Sequence, residues 1–208
     1  MADIHDYTLK ELSREHSTLI WEWRNAAHVR PFMNHDGLIL LEEHHKWLNS
    51  IAKDASRLVR ICYYQAKPIG FVQFSQINLE HQTCEWGFYI GNQDCPRGSG
   101  TSMGILALEL IFQERQMRKV CAEILDFNQK SLSYHRKLGF VEEGRLVRQR
   151  LRNHQPVDVV LMGLFREQWK KQRVRLKEEV AKANEGNNHR KPAHRKRSSP
   201  FCHRGDVR

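Results

Sequence analysis

The chain has 208 residues, which is enough for one well-packed domain with an additional segment but too few for two ordinary domains. It contains no apolar stretch of about 18 residues and no secretory signal pattern, so we predict a cytoplasmic protein with no membrane partner. The five cysteines are odd in number and scattered, which favours a reducing compartment over a disulfide framework.

The net charge of +10 is concentrated near the C-terminal end of the sequence. Residues 1–166 carry 21 Lys and Arg against 19 Asp and Glu, whereas residues 167–208 carry 13 against 5. The C-terminal segment has no apolar periodicity, which predicts a solvated tail rather than a nucleic-acid site. We therefore predict a domain over residues 1–168 and a basic, partly helical and then disordered tail over 169–208, with no nucleic-acid partner.

Twelve histidines raise the question of a metal site. The densest pair, His44 and His45, projects about 100° apart on a helix. No third ligand follows at the spacing of a zinc site, so we expect no metal.

The N-terminal part of the chain alternates strand and helix patterns. Residues 7–12 predict a first strand. Residues 17–25 and 40–48 place apolar side chains at helical spacing and predict two helices. Residues 57–65 and 67–78 predict two strands joined as a hairpin, with Pro at the turn.

The next predicted strand, residues 83–91, has two chemically different faces. Because side chains alternate along a strand, Glu85 and Tyr89 share one face, while Trp86 and Phe88 share the other. The aromatic face predicts core packing, which leaves the Glu85 and Tyr89 face available to a ligand.

A glycine-rich loop over residues 95–104 follows, between this strand and a buried helix predicted over 105–112. Glycine allows close approach of the backbone to a ligand, and the free amides and positive dipole of a helix N-terminus attract phosphate groups. The order of strand, loop and helix therefore predicts a phosphate site, with an ordinary tight turn as the alternative.

A second pattern follows the next predicted strand, residues 119–125. Arg97-x-x-Gly100-x-Ser102 resembles the acetyl-CoA loop of the GNAT N-acetyltransferases, and the run from Asn128 to Gly139-Phe140 resembles their second cofactor motif. The last position of the loop is usually Gly or Ala in that family and is Ser102 here.

The resemblance implies an α/β fold with a single GNAT domain. Its mixed central sheet has about seven strands, helices on both faces, and a splay between the two central parallel strands. The final strands would be residues 145–152 and 156–165, with a polar helix over 167–182. The resemblance also implies acetyl-CoA as co-substrate, bound by Ile90, Arg97, Gly98, Ser99, Gly100, Thr101, Ser102, Met103, Asn128 and Ser131.

Transfer of an acetyl group to an amine needs a neutral amine, a polarised carbonyl and a thiolate that takes up a proton. In the family the acid is usually a Tyr at the position occupied here by His135, and Tyr134 immediately precedes it. Both remain candidates for the acid, and simple packing is the alternative for each. Glu85 is the candidate base, with a salt bridge to Arg24 or Arg30 as its alternative.

The acceptor is implied only by finer resemblance. The run Trp23-Arg24-Asn25 is typical of a subset that includes ribosomal-protein and nucleotide-sugar acetyltransferases. Further similarity, including the run from Glu85 to Tyr89, is to the acetyltransferases of the pseudaminic acid pathway, which modify the 4-amino group of UDP-4-amino-4,6-dideoxy-N-acetyl-β-L-altrosamine for flagellin glycosylation. This implies a UDP-amino-sugar partner contacted by Arg24, His44, Ser75, Gln76 and Tyr89.

Two other acceptor classes and one function without an acceptor stay open as alternatives. The chain could belong with protein N-terminal or ribosomal-protein acetyltransferases, or with polyamine acetyltransferases of the same fold. A nucleic-acid-binding protein driven by the basic tail is the non-enzymatic alternative, and its binding would depend strongly on salt. A homodimer is compatible with each of these predictions.

Overall fold

The computed structural model describes residues 3–188. Its strands are β1 (Tyr7–Glu11), β2 (Leu58–Tyr64), β3 (Lys67–Asn78), β4 (Thr83–Ile90), β5 (Lys119–Leu125), β6 (Val141–Arg152) and β7 (Gln155–Phe165). Its α-helices are α1 (Ser17–Asn25), α2 (Leu41–Ile51), α3 (Ser99–Glu109), α4 (Gln129–Leu138) and α5 (Arg166–Asn188). Within the described residues, no helix is both long and apolar enough to span a bilayer.

The seven strands form one mixed sheet in the order β1-β2-β3-β4-β5-β7-β6. Every neighbouring pair is antiparallel except β4 and β5, which are parallel. Their pairing covers only Thr83–Glu85 against Lys119–Cys121, and beyond it the two strands diverge. The predicted fold class, including the splay between the central parallel strands, is confirmed.

Helices cover both faces of the sheet. On one face α1 and α2 pack over a small cluster that contains Ile20, Ile61 and Phe71, with Trp47 and Tyr89 at its margin. On the other face α3, α4 and α5 cover the main core. That core includes Phe74, Trp86, Met103, Ile105, Leu108, Leu138, Met162 and Trp169. Tyr89 and Trp86 thus lie on opposite faces of β4, as the alternation of side chains requires.

Helix α3 begins earlier than the sequence pattern predicts. Gly98 adopts a left-handed conformation with φ of 96° and caps the helix, so that α3 starts at Ser99 rather than at residue 105. Glycine tolerates this conformation without a steric penalty. The loop residues after Gly98 are therefore the first turns of a helix. The sequence did not reveal this, because Ser, Thr and Gly carry too little apolar periodicity.

Strand β6 contains a bulge that redirects its C-terminal half. The register with β7 shifts between Leu146 and Arg150, and Arg148 has a positive φ of 52°. Asp158 holds this bulge, since its carboxylate accepts the backbone N–H of Arg148 and the guanidinium of Arg145, each at 2.8 Å. Bulges bend a strand and re-aim its side chains.

Helix α5 extends the core beyond the boundary predicted at residue 168. Trp169 and Leu176 are completely buried, and Val180 is nearly so. These three side chains lie at helical spacing among many charged residues, so the composition of the segment concealed its apolar stripe. The part of the predicted disordered tail beyond residue 188 lies outside the described residues.

Replacing Leu176 with Ala tests whether α5 belongs to the domain. Because the side chain is fully buried, Leu176→Ala should lower the free energy of unfolding by about 2–5 kcal/mol. The matched control is Val174→Ala on the exposed side of α5, which should change it by about 0.5 kcal/mol or less. Denaturant titration measures both, and equal small effects would show that α5 is not part of the cooperative core.

Candidate active site

A cavity of about 960 Å³ opens where β4 and β5 diverge. Its walls come from α1, α2 and the loop between them, from the facing parts of β3, β4 and β5, and from the first turns of α3 and α4. Such a volume is typical of small-molecule sites. The divergence of the strands therefore produces a cleft through the middle of the sheet.

The glycine loop presents free backbone donors at one end of this cleft. Within residues 3–188, the amides of Gly98 and Gly100 donate to no backbone carbonyl. Ser99 instead ties the loop down, because its hydroxyl donates to the carbonyl of Pro96 at 2.6 Å and lies 2.9 Å from the hydroxyl of Tyr7. Free amides at the N-terminus of α3 are suited to a pyrophosphate group.

Strand β4 offers unpaired backbone groups beside the loop. The amide of Gly91 donates to the carbonyl of Ile69 on β3 at 2.9 Å. Because amide directions alternate along a strand, the N–H groups of Phe88 and Ile90 point toward β5, which no longer pairs with β4 there. An extended chain that contains amides, such as the pantetheine arm of coenzyme A, fits this open edge as an added strand.

The structure separates the predicted cofactor residues into three groups. Ile90, Gly100, Asn128 and Ser131 line the cavity. The side chains of Ser99, Thr101, Ser102 and Met103 are buried, so these residues offer only their backbone to a ligand. Arg97 is exposed, and Gly98 is the left-handed helix cap. Asn128 also caps α4, since its side chain accepts the amide of Ser131 at 3.1 Å.

His135 lies in the cavity wall with both ring nitrogens occupied. Its Nδ1 is 2.8 Å from the carbonyl of Ser131, and its Nε2 accepts the indole N–H of Trp86 at 3.2 Å. This pattern requires a neutral ring with the proton on Nδ1. Burial lowers the pKa of His135 to about 4. The geometry does not support the acid role predicted for His135, because no proton is directed into the cavity.

The hydroxyl of Tyr134 is also engaged in a hydrogen bond within the protein. It donates to the carbonyl of Gly100 at 2.5 Å, and burial raises its pKa. The hydroxyl lies so close to Gly104 that a side chain at that position would overlap it. Tyr134 therefore supports the glycine loop in this arrangement, and its proton is directed to the loop rather than to a thiolate.

Glu85 faces the cavity together with a second carboxylate that the sequence did not single out. Glu85 pairs with Cys121 at the last contact between β4 and β5, and Glu123 is two residues further along β5 on the same face. Burial raises the pKa of Glu85, and the carboxylate of Glu123 raises it further. Only the register between the strands reveals this pair, because the two residues are far apart in the sequence.

The residues predicted to bind the acceptor do not all reach the cavity. Arg24, His44, Ser75 and Tyr89 line it. Gln76 does not line it, because the residue is exposed at an irregularity of β3, where its φ is 50°. Its side chain instead lies near Glu85 and partly offsets the raised pKa of that carboxyl.

Two cavity side chains carry buried polar atoms without a hydrogen-bond partner among the described residues. They are Nη1 of Arg24 and Nε2 of His44. The other terminal nitrogen of Arg24 donates to the carbonyl of His35. Burial lowers the pKa of both side chains, although a guanidinium remains charged at neutral pH. In the described part of the chain, no group of three His, Cys, Asp or Glu residues is placed to hold a metal ion.

Comparison with known proteins agrees with this geometry. The chain belongs to the acetyltransferase (GNAT) domain family, which matches residues 7–141. The structure of spermidine N-acetyltransferase from Vibrio cholerae in complex with CoA and spermine superposes with a TM-score of 0.75 at 22% identity, covering 79% of this chain and 98% of that one. The protein is accordingly an acetyl-CoA-dependent N-acetyltransferase.

Two relatives of comparable similarity are both named as acetyltransferases, and one of the two names specifies an acceptor. The acetyltransferase PseH of Campylobacter jejuni is 25% identical over 140 residues, which are 67% of this chain and 85% of the relative. Spermidine N(1)-acetyltransferase of Escherichia coli K12 is 24% identical over 169 residues, 81% of this chain and 91% of the relative. The two similarities are comparable, so they define the reaction class without distinguishing the acceptor.

Substitution of Gly100 tests the cofactor loop. A Cβ at this position would have only a ring carbon of Tyr134 nearby, at 3.9 Å, so Gly100→Val should fold normally while its side chain obstructs the ligand side of the loop. We expect acetyl-CoA binding to fall by at least about tenfold in calorimetry, with little change in melting temperature. Gly104→Val is the contrasting variant, because overlap with Tyr134 should lower the melting temperature itself.

The neutral, buried state of His135 predicts a pH dependence of stability. The folded pKa of about 4 lies below the ordinary value of about 6.5, so the contribution of His135 is complete above pH 6.5 and is lost as the pH falls through 4. Over this window the parent protein should lose roughly 3 kcal/mol more unfolding free energy than His135→Gln, which keeps an acceptor for Trp86 but does not titrate. Parallel denaturation curves of the two proteins across this range would contradict the prediction.

Proposed function

We propose that the chain acetylates the 4-amino group of a UDP-linked 4-amino-4,6-dideoxy sugar, the acceptor of the pseudaminic acid pathway. The single observation that supports this acceptor best is the buried, unpartnered Nη1 of Arg24 in the cavity wall. A buried charged donor without a partner is energetically unfavourable unless a ligand supplies the acceptor. A diphosphate is the natural counterpart of such a guanidinium.

The cavity also differs in charge along its length. The charge of Arg24 lies near Tyr89, where it works against the rise in the pKa of the tyrosine hydroxyl that burial causes. Glu85 lies four residues before Tyr89 on β4, roughly 13 Å from it along an extended strand. A cationic end and an acidic end suit a substrate with a diphosphate at one end and an amine at the other. A polyamine carries positive charge along its length and would meet Arg24 unfavourably.

Aromatic and imidazole groups complete the proposed nucleotide end. The ring of His44 packs against Trp47 with centroids 5.3 Å apart, and Tyr89 stacks on Phe71 at 5.0 Å and 11°. These contacts fix the side chains before a ligand arrives. The unpartnered Nε2 of His44, in the wall of the same cavity, then offers a second polar group to a nucleotide without further rearrangement.

At the acidic end, we assign Glu85 as the base. Its raised pKa makes it a better proton acceptor than an ordinary carboxylate, and Glu123 adds negative potential that attracts an ammonium group. Acetyl-CoA supplies the acetyl group as an activated thioester. The free amides of Phe88 and Ile90 provide donors toward its carbonyl.

We assign His135 and Tyr134 to positioning rather than to proton donation. His135 orders Trp86 and the first turn of α4, and Tyr134 holds the glycine loop. A thiol has a pKa of about 8.5, so its thiolate is a tolerable leaving group near neutral pH and can take its proton from solvent. Direct transfer then needs no acid at either residue.

A polyamine is the second candidate acceptor, because three carboxylates line the same cavity. Glu43, Glu85 and Glu123 would each attract a protonated amine. The similarity to spermidine N(1)-acetyltransferase supports this alternative at the level of the family. The buried, unpartnered Nη1 of Arg24 is the feature that a polyamine acceptor leaves unexplained.

An acetyl-transfer assay distinguishes the acceptors directly. The purified chain is given acetyl-CoA and, in separate reactions, the UDP-4-amino sugar, spermidine, and peptides with ribosomal-protein N-termini. We expect turnover of the UDP-amino sugar to exceed that of the other amines by at least about a hundredfold in kcat/KM. Preferential turnover of spermidine or of the peptides would refute the proposed acceptor.

Replacing Arg24 with Ala tests whether its guanidinium contacts the acceptor. Loss of a charge-assisted contact should raise the acceptor KM by about ten- to a hundredfold while acetyl-CoA affinity stays the same. Arg30→Ala is the matched control, since it removes the same charge nearby but from a residue outside the cavity lining. An equal change in both variants would attribute the effect to general charge instead of to a contact.

A further inference from the structure

The loop between α1 and α2 forms one side of the acceptor cavity but has little regular structure of its own. After a short helical turn at Arg30–Phe32, residues 33–40 contain no helix or strand. Met33, Asn34 and His35 from this loop line the cavity. A segment without backbone ladders depends on side-chain contacts for its position.

Side chains of α1 hold the two parts of this loop differently. Near α2, Ile39 is fixed on both backbone groups by Asn25, at 2.9 and 3.0 Å, and its carbonyl also accepts the indole N–H of Trp21 at 2.7 Å. Nearer α1, the carbonyl of His35 is bound by Arg24, a cavity-lining residue whose other terminal nitrogen is buried without a hydrogen-bond partner among the described residues. The backbone of His35 therefore orients the guanidinium that is proposed to bind the acceptor.

A second arginine, 119 residues beyond Met33 in the sequence, also holds this loop. Nη2 of Arg152, the last residue of β6, donates to the carbonyls of Met33 and Asn34, the latter at 2.9 Å. Its Nε lies 3.7 Å from the carboxylate of Asp36. The side chain of Arg152 is only 11% exposed, so these contacts are shielded from solvent.

The geometry of the β6–β7 hairpin explains how Arg152 reaches this loop. The bulge held by Asp158 redirects the end of β6, and the turn residues Asn153 and His154 both have positive φ, at 48° and 62°. Such a turn closes a tight two-residue hairpin and fixes the twist of its strands. Arg152 is thereby presented to the loop by a rigid element.

We propose that Arg152 is a positioning residue for the acceptor. Its contacts with Met33, Asn34 and Asp36 fix the loop so that the carbonyl of His35 holds Arg24 in the orientation that binds the acceptor. This inference rests on the proposed function, because it assumes that Arg24 contacts the acceptor. Arg152 does not line the cavity, so its influence on binding is transmitted through the loop.

Hydrogen exchange tests the structural half of the proposal without any substrate. In Arg152→Ala, the amides of Met33 and Ile39, which donate to the carbonyl of Arg30 and to the side chain of Asn25, should exchange at least about tenfold faster than in the parent protein, because the loop between them loses its charge-assisted contacts. Arg148→Ala removes the same charge from the same strand, but its side chain makes none of these loop contacts, so protection should be retained. Unchanged protection in Arg152→Ala would overturn the proposal.

Kinetics test the functional half. Arg152→Ala should raise the acceptor KM by about tenfold while acetyl-CoA affinity and melting temperature stay near the parent values. Arg152→Lys should restore part of the effect, since an ammonium can bind one carbonyl but cannot reproduce the guanidinium contacts. Parallel losses of acetyl-CoA affinity and melting temperature would indicate a purely structural role and overturn the proposal.

A double substitution tests whether Arg152 influences the acceptor KM through Arg24. If it does, Arg152→Ala should add little to the acceptor KM of Arg24→Ala, whereas independent roles would give multiplicative effects and overturn the proposal. If the chain acetylates an amine other than the UDP-amino sugar, the proposed acceptor fails. The hydrogen-exchange rates of the loop and the KM for that other amine then still decide whether Arg152 positions the acceptor site.

Discussion

The early end of the pairing between β4 and β5 is the constraint on which the site depends. Among the described strands these are the only parallel neighbours, and they stay together only as far as Glu85 and Cys121. Beyond that point the backbone groups of β4 on the side of β5 lack a strand partner, which is unfavourable in a covered sheet unless a ligand supplies one. The same divergence opens the cavity and places the N-terminus of α3 at its edge.

The two layers of helices then give the cleft two different chemistries. On the side of α3 and α4 the wall is made of backbone donors and tightly packed aromatic rings, and the titratable groups there, His135 and Tyr134, are held in their neutral forms by burial. On the side of α1 and α2 the wall carries charge, with Arg24 near one end and Glu85 near the other. The wall on the side of α3 and α4 suits coenzyme A, whose pantetheine arm contains amides that can bind backbone groups. The wall on the side of α1 and α2 is suited to distinguish acceptors by charge.

The C-terminal elements contribute more to this arrangement than their composition suggests. Helix α5 seals the main core with Trp169 and Leu176, and a bulge in β6 carries Arg152 to the loop that borders the acceptor side. Both segments are rich in Lys and Arg. Here the guanidinium of Arg152 makes internal contacts and α5 buries an apolar stripe, so high local charge does not mark a segment as peripheral.

The amino-acid sequence by itself determined the order of strands and helices, the position of the phosphate-binding loop and the membership in an acetyltransferase family. Local signals carry these features, since alternation, helical spacing and the placement of Gly98 and Gly100 act over a few residues. Whether His135 has a proton to donate depended on Trp86 and the carbonyl of Ser131, and the partner of Glu85 depended on the register with β5. These properties arise from contacts between distant segments and from burial, which spacing along the chain does not encode. For the same reason only the folded chain shows that Arg152 reaches the loop before α2.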